Sequence, residues 1–441
     1  MSQQVTRREF LRWGSAGVAL AAASACMPVE APSSGSGGGA AASEPKSLNV
    51  GQWGTAQRAE LYKSALTLFQ QNNPGVTTNL QFADLASYLD RLTTQAASKS
   101  LPDVLWMRDE RIGLYGSSGA LLDLSPYLTK GIDTSKLSSA AVADGKVGNG
   151  IYALPSHYVG QAVITNATFL QDKGINYEQQ VKTWDDLAAL GKQLSDPNRK
   201  FWGLSDPTLG TTQRHLQAWI RQAGQELFTP DGNLGFTTDT LGSWLEFWNK
   251  LRKDGVIPPA DVQVQADAGG MATNMLVTNQ AAIVPASSNG LTQIQRLTKT
   301  PLAMYSIPEI AGASKDWWFF PPILLSVAAN TKSPQLSASL VEFFVNSVPA
   351  GKLTRVDQGA PSSAAVRDAL VPELEAPEAA FVKQISREMT YAARALPVLP
   401  QASAAVITAQ METSQQVAYG RQSVTQAVDA FMATARKAIG K

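Results

Sequence analysis

The run Leu48-Asn49-Val50-Gly51-Gln52-Trp53 alternates with period two, the mark of a β-strand, and Gly54 breaks it. Residues 59–72 then repeat with helical period, which places Leu61, Ala65, Leu68 and Phe69 on one face, and Pro74-Gly75 ends the helix. Val76-Thr77-Thr78-Asn79-Leu80-Gln81-Phe82 alternates again, so the chain opens as a β-α-β unit. A helical run over residues 86–98, the short apolar strand Pro102-Asp103-Val104-Leu105-Trp106-Met107 and a further helix leading to Gly119-Ala120-Leu121-Leu122-Asp123-Leu124 continue the pattern. Repeated alternation of strand and helix predicts an α/β fold with a parallel sheet covered on both faces.

The same logic extends downstream. Thr183-x-x-Asp186 places a capping hydroxyl before a helix whose Leu187, Leu190 and Leu194 share one face. Residues 240–253 carry Leu241, Trp244, Leu245, Trp248 and Leu251 at helical spacing, which assigns both tryptophans to a core. Gln280-Ala281-Ala282-Ile283-Val284 reads as a short strand, and Pro285-Ala286-Ser287-Ser288-Asn289-Gly290 as a small-residue loop before a helix. Trp317-Trp318-Phe319-Phe320-Pro321-Pro322 precedes a strand over residues 323–328, and Ser333-Pro334 opens a helix over residues 336–345.

Composition bounds the function. The chain has 441 residues, 44% hydrophobic and 17% charged, enough for a sizeable core and two domains. A formal net charge of +1 gives no electrostatic footprint for nucleic acid. With one Cys and two His there is no C-x-x-C, no H-E-x-x-H and no other metal-ligand cluster, so no cofactor or metal is expected. There is no Walker A sequence for nucleotide hydrolysis and no G-x-S-x-G nucleophile, and carboxylate pairs such as Asp185-Asp186 are explained by helix capping.

The N-terminal stretch addresses the chain to export. Thr6-Arg7-Arg8-Glu9-Phe10-Leu11-Arg12 resembles a twin-arginine export signal, with Arg7 and Arg8 as the pair, and the apolar run over residues 14–25 is too short to span a bilayer. Ala23-Ser24-Ala25-Cys26 resembles a lipobox. Residues 1–26 are thus expected to be a signal peptide ending at a lipidated Cys26. Residues 27–47, rich in Pro, Ser, Gly and Ala, lack aliphatic periodicity and are expected to be a disordered tether that holds the folded body off a membrane.

The order of segments resembles extracellular solute-binding proteins, specifically the family 1 sugar-binding lipoproteins that serve ABC importers. Four stretches carry the resemblance: residues 66–76; Leu101-Pro102-Asp103-Val104 with residues 119–124; Gly150-Ile151-Tyr152-Ala153-Leu154-Pro155 followed by Thr165-Asn166; and Thr183-Trp184-Asp185-Asp186-Leu187. It implies a two-lobed periplasmic binding protein-like fold, each lobe a central, mainly parallel sheet flanked by helices, with the ligand cleft between them. Lobe one is expected over residues 48–156 plus 304–345, and lobe two over residues 157–303 plus 346–441 with the closing helices. The implied function is capture of a sugar or oligosaccharide and delivery to the transmembrane subunits of an ABC permease. The implied protein is a monomer, lipid-anchored at the outer face of the cell membrane or in the periplasm, and not an enzyme.

A hydroxyl-rich solute needs aromatic faces for its apolar C–H surface and polar side chains for its hydroxyls. Ligands in open α/β sheets sit beyond the carboxyl ends of strands, where Trp53, Arg108, Asp109 and Glu110 fall. His157 and Tyr158 follow Pro155 at the first expected crossing between lobes, Asp206 ends the strand Trp202-Gly203-Leu204-Ser205, and Trp219 lies on the helical run over residues 212–222 with either core or cleft open to it. His215 on the same run reads as structural. The resemblance assigns a ligand contact to the loop of Asn289. Trp317 and Trp318 are expected to form an aromatic cleft wall. Other solutes stay open at this level: a polyol, a glycerol phosphodiester, a polyamine or ferric ion. An exported carbohydrate hydrolase is the rival class, requiring two carboxylates across a cleft.

Overall fold

A computed structural model describes residues 46–128, 130–210, 214–391, 394 and 396–440. Arg7, Arg8, Cys26 and most of the expected tether lie outside the described residues. Among those described, no helix is long and apolar enough to cross a membrane.

The opening unit forms as its pattern dictates. Strand β1 (Ser47–Trp53) leads through Thr55, whose side chain accepts from the Arg58 amide, into the helix Ala56–Asn72. Strand β2 (Thr77–Ala83) returns parallel to β1, and Asp84 caps the helix Leu85–Ala97. Strand β3 (Val104–Arg108) pairs parallel on the other side of β1 and feeds the helix Asp109–Ser117. A small hairpin, β4 (Lys146–Val147) with β5 (Gly150–Ile151), precedes β6 (Leu154–Tyr158).

The chain then enters a second sheet. Its strands are β7 (Gln161–Asn166), β8 (Trp202–Leu204), β9 (Ala281–Ser287) and β10 (Leu302–Ser306), in the order β10-β7-β9-β8. It returns through β11 (Pro322–Val327), which inserts between β3 and β6, and β12 (Ala360–Pro361) completes the first sheet in the order β12-β6-β11-β3-β1-β2. The two-lobed α/β architecture follows, one sheet per lobe.

Both sheets are mixed rather than mainly parallel. In the first, β2-β1-β3 are parallel while β11 runs antiparallel to β3 and β6. In the second, only β8 and β9 are parallel. The cause is connectivity, since a strand entering a sheet from the other lobe needs no crossover helix and can pair in either direction.

The return crossing also lies later than expected. Leu302–Ser306 is β10 of the second sheet, antiparallel to β7. The segment after it stays there, because Gln222 donates to the Pro308 carbonyl and the Trp184 amide to the Glu309 carbonyl. The chain reaches the first sheet only at Pro322. Beyond residue 345, the helix Val348–Thr354 still packs on the helix Ala56–Asn72, and the helix Ala376–Glu388 is the next to lie against β10.

Each lobe has its own core. In lobe one Trp106 is fully buried, with Tyr62 and Phe344 edge-on at centroid distances of 4.9 and 4.7 Å, so the returning helix Pro334–Asn346 seals the opening sheet. In lobe two Trp184, Trp219, Trp244 and Trp248 cluster with Phe247, and Trp244 and Trp248 are buried as their spacing predicts. The expected Thr183–Asp186 capping box opens the helix Trp184–Leu194. That helix lies directly on β8: a Cβ on Gly203 would stand 1.9 Å from the Gly191 carbonyl oxygen, so only glycine permits the approach. The helices Ser403–Ala418 and Val424–Ala438 complete the lobe-two core through Val406, Val428 and Phe431.

Candidate functional site

The strand ends of both sheets meet at one cleft of about 630 Å³, part of it open to solvent. Lobe one contributes Trp53 from the end of β1, Arg108 from the end of β3, Asp109 from the first turn of the next helix, and Arg58 and Gln358. Lobe two contributes Gln161 from the start of β7, Ser287 from the end of β9, and Asn289 and Arg214. These are the carboxyl ends of β1, β3 and β9, where an α/β sheet leaves backbone groups and side chains free to face a ligand.

Trp53 is held by its neighbours rather than by a strand partner alone. Its ring lies 5.5 Å from Tyr88, its amide donates to Gln52 Oε1 at 2.8 Å, and its carbonyl accepts from Arg58 Nη1 at 3.2 Å. Arg58 also pairs with Asp357 and donates to the Asp357 carbonyl at 3.0 Å, which fixes the loop bearing Gln358. Gln358 donates to Gln52 Oε1 and accepts from Tyr62 Oη at 2.8 Å. The Trp53 wall is therefore preorganised before any solute arrives.

Charge in the cleft is compensated group by group. Arg108 Nη2 lies 2.5 Å from Glu110 Oε1. Arg214 Nη2 lies 2.6 Å from Asp109 Oδ1 and 3.2 Å from Glu110 Oε1. The Arg214 pairs join the lobes, for Arg214 begins the helix Arg214–Gln222 of lobe two and both carboxylates sit at the helix N-terminus of lobe one. The Glu110 carboxylate raises the Arg108 guanidinium further, so Arg108 is a permanent cation. Burial pushes the Asp109 carboxyl up, against the pull of Arg214 and aided by Glu110, whereas Arg108 and Arg214 overcome burial to hold Glu110 low.

One group stands apart. Gln161 is 5% exposed, and among the described residues neither its Oε1 nor its Nε2 has a hydrogen-bond partner. A buried amide left unpaired costs about 1 to 3 kcal/mol, so an external partner that supplies both a donor and an acceptor recovers that cost.

Of the residues expected from sequence, Trp53, Arg108, Asp109 and Asn289 come together in the cleft lining, and Glu110 lies behind them in the ion-pair network. The others do not line it. His157 is buried in β6 with Nδ1 3.1 Å from Ser156 Oγ, and burial pushes it down to about 4, so it is a neutral core histidine. Tyr158 donates to Asp144 Oδ2 at 2.5 Å inside lobe one. Asp206 is 2% exposed, accepts from the Thr208 amide and pairs with Arg252, beside a separate cavity in lobe two. Trp219 packs on Trp244 and donates to Ser243 Oγ at 3.2 Å.

Trp317 and Trp318 form no cleft wall. Their rings stack at 4.1 Å, Trp317 donates to Glu309 Oε1, and the Trp318 ring also packs against Tyr391 at a centroid distance of 4.9 Å. The physical reason is the delayed crossing, which keeps their segment on lobe two and offers an apolar core instead of a ligand. Sequence reading missed Arg58, Gln161, Arg214 and Gln358. Gln161 carried one signal, its place directly after the interlobe link at Gly160; the others are single polar residues without local pattern.

The family model described as bacterial extracellular solute-binding protein matches residues 53–347. A putative binding protein of Brucella abortus (strain 2308) is 25% identical over 242 residues, covering 51% of this chain and 57% of that protein. The match thus spans little more than half the length of such curated relatives. Among solved structures, an extracellular solute-binding protein family 1 member from Alicyclobacillus acidocaldarius superposes with a TM-score of 0.69 at 27% identity, over 90% of this chain and 98% of that one. A periplasmic oligogalacturonide binding protein from Yersinia enterocolitica, in complex with saturated digalacturonic acid, gives a TM-score of 0.76 at 18% identity over 89% and 99% of the two chains.

Proposed function

Because the chain belongs to the bacterial extracellular solute-binding proteins, we propose that its interlobe cleft captures a neutral, hydroxyl-rich solute, a sugar or oligosaccharide, for an ABC import system. The observation that carries this reading is Gln161, a buried amide with both polar atoms unpartnered among the described residues, which lines with Asn289 the lobe-two side of a cleft that Trp53 lines from lobe one and whose arginines are already paired. A hydroxyl both donates and accepts, so one sugar ring can satisfy Gln161 and lay its C–H face on the tryptophan. A charged solute would have to compete with ion pairs already made. Polyols share this chemistry and form the second arm of the test.

In mechanism, the solute touches both walls only when the lobes are together, so its binding energy favours closure. We assign lobe one to residues 46–158 and 322–370, and lobe two to residues 159–321 and 371–440, on the basis of the sheets. The closed form then docks on the permease. Export by the twin-arginine signal and anchoring through Cys26 complete the proposal; Cys26→Ser should release the protein from the membrane fraction, and retention in high salt removes the anchor from it.

A thermal-shift screen of saccharides and polyols, followed by small-angle scattering with each hit, tests the function. Binding to the folded state raises the melting temperature, closure lowers the radius of gyration, and chromatography recovers the solute unchanged. Conversion of the solute by the pure protein moves the assignment to a hydrolase.

A further inference from the structure

A second cavity of about 640 Å³ opens in lobe two at the carboxyl end of β8. Ser287 lines both this cavity and the interlobe cleft, and His215 in its wall follows Arg214 of the cleft directly in sequence.

The wall of this cavity is built for hydrogen bonding. His215 is 7% exposed; its ring bonds the Ala162 backbone, and Nε2 has no partner among the described residues. Burial pushes this histidine down to about 4, so the ring is neutral and Nε2 offers a lone pair. Asp206 is neutralised by Arg252, and Gln263 is committed at both ends, accepting from the Asp206 amide and donating to Asp267 Oδ1 at 2.9 Å. That leaves the His215 nitrogen, the second Asp267 oxygen and the Asn274 amide nitrogen to face an occupant. Two acceptors and a donor suit hydroxyls, and the Asp267 charge at the rim repels an anion.

Resting on the carbohydrate reading of the cleft, we propose that the solute is at least a disaccharide, with one ring over Trp53 and a second, uncharged ring in the lobe-two cavity against His215, Asp267 and Asn274. Its backbone passes Ser287. Length selectivity then resides in lobe two, and a uronic acid is disfavoured at the second position.

Titration calorimetry with a panel that holds each monosaccharide beside its own di- and trisaccharide, digalacturonate included, tests this. A neutral disaccharide should bind about tenfold or more tighter than its monomer, the scale of one or two added hydrogen bonds with ring burial. His215→Ala and Asp267→Ala should each remove most of that gain while monosaccharide affinity stays within about twofold. Gln161→Ala should weaken monomer and oligomer alike. Monomer binding as tight as oligomer, or equal losses on both for the lobe-two variants, overturns the second site while leaving the cleft reading intact; digalacturonate as the best ligand overturns the second site and, with it, the neutral character assigned to the cleft's solute. Absence of binding across the whole panel sinks the carbohydrate reading and the second site with it. If His215→Ala lowers the melting temperature of the free protein, Asp267→Ala, at the exposed rim, decides.

Discussion

Removing Arg214 should uncouple the lobes. Its side chain is 8% exposed and stands 2.6 Å from Asp109, whose side chain is 14% exposed, with Glu110 at 3.2 Å. In the closed arrangement Arg214→Ala leaves two partly buried carboxylates facing the single guanidinium of Arg108, whereas separated lobes return all of these groups to water. Breaking a buried pair by deleting one partner costs about 3 to 5 kcal/mol, and here that cost falls on the closed form alone. At about 1.4 kcal/mol per factor of ten, solute affinity should fall by about a hundredfold to a few thousandfold. Because Arg214 and Asp109 also line the cleft, direct solute contacts must be separated from the pair itself. A double-mutant cycle with Asp109→Ala does so, since independent contacts add while the pair appears as a coupling of about 1.5 kcal/mol or more. Calorimetry supplies the four affinities, and scattering should show that liganded Arg214→Ala keeps the radius of the free protein. A coupling near zero with normal closure would refute the latch.

Three further outcomes follow from the packing. Gln161→Leu should weaken solute binding by about tenfold or more yet raise the melting temperature of the free protein, because it removes an unpaired buried amide worth about 1 to 3 kcal/mol; a lower melting temperature with unchanged affinity contradicts the assigned role. Trp53→Ala should cost affinity, while Trp318→Ala and Trp244→Ala should cost stability instead, about 3 to 5 kcal/mol for the fully buried Trp244, as read by melting curves beside titrations. With pH, His157 sits at about 4 in the fold through burial, against an unfolded value near 6.5, so its contribution is complete above about pH 6.5 and is lost as pH falls towards 4, by up to about 3 kcal/mol. Asp144 acts with the opposite sign: burial pushes it up to about 7, so its contribution is lost as pH rises from about 4 to 7. Melting curves from pH 4 to 8 should therefore show a shallower acid-side fall for His157→Gln and a relative gain above pH 7 for Asp144→Asn. Parallel curves for parent and variants would contradict both burial arguments.

The free energy of closure and the identity of the solute both depend on contacts distant in sequence, and this explains what the chain discloses when read alone. Thr183 and Asp186 disclose their capping box because both partners lie within one helical turn. Pro74-Gly75 discloses a turn because Gly75 takes a positive φ of 84° that L side chains avoid, and the βαβ alternation discloses the sheet of β1, β2 and β3 through side-chain period. Trp53, Arg108 and Asp109 were legible as site residues for the same reason, since strand ends can be counted along the chain. Arg214 was not, because its partner Asp109 lies 105 residues away and nothing local marks the meeting. Nor could sequence decide between cleft and core for Trp317 and Trp318: an aromatic pair suits either, and the choice fell to where β10 found its ladder with β7. Local pattern thus fixes which elements form, through forces acting within a few residues. Which lobe an element joins, and which polar groups are left unpaired to meet a solute, is settled only when distant surfaces compete for burial and hydrogen bonds in the assembled fold.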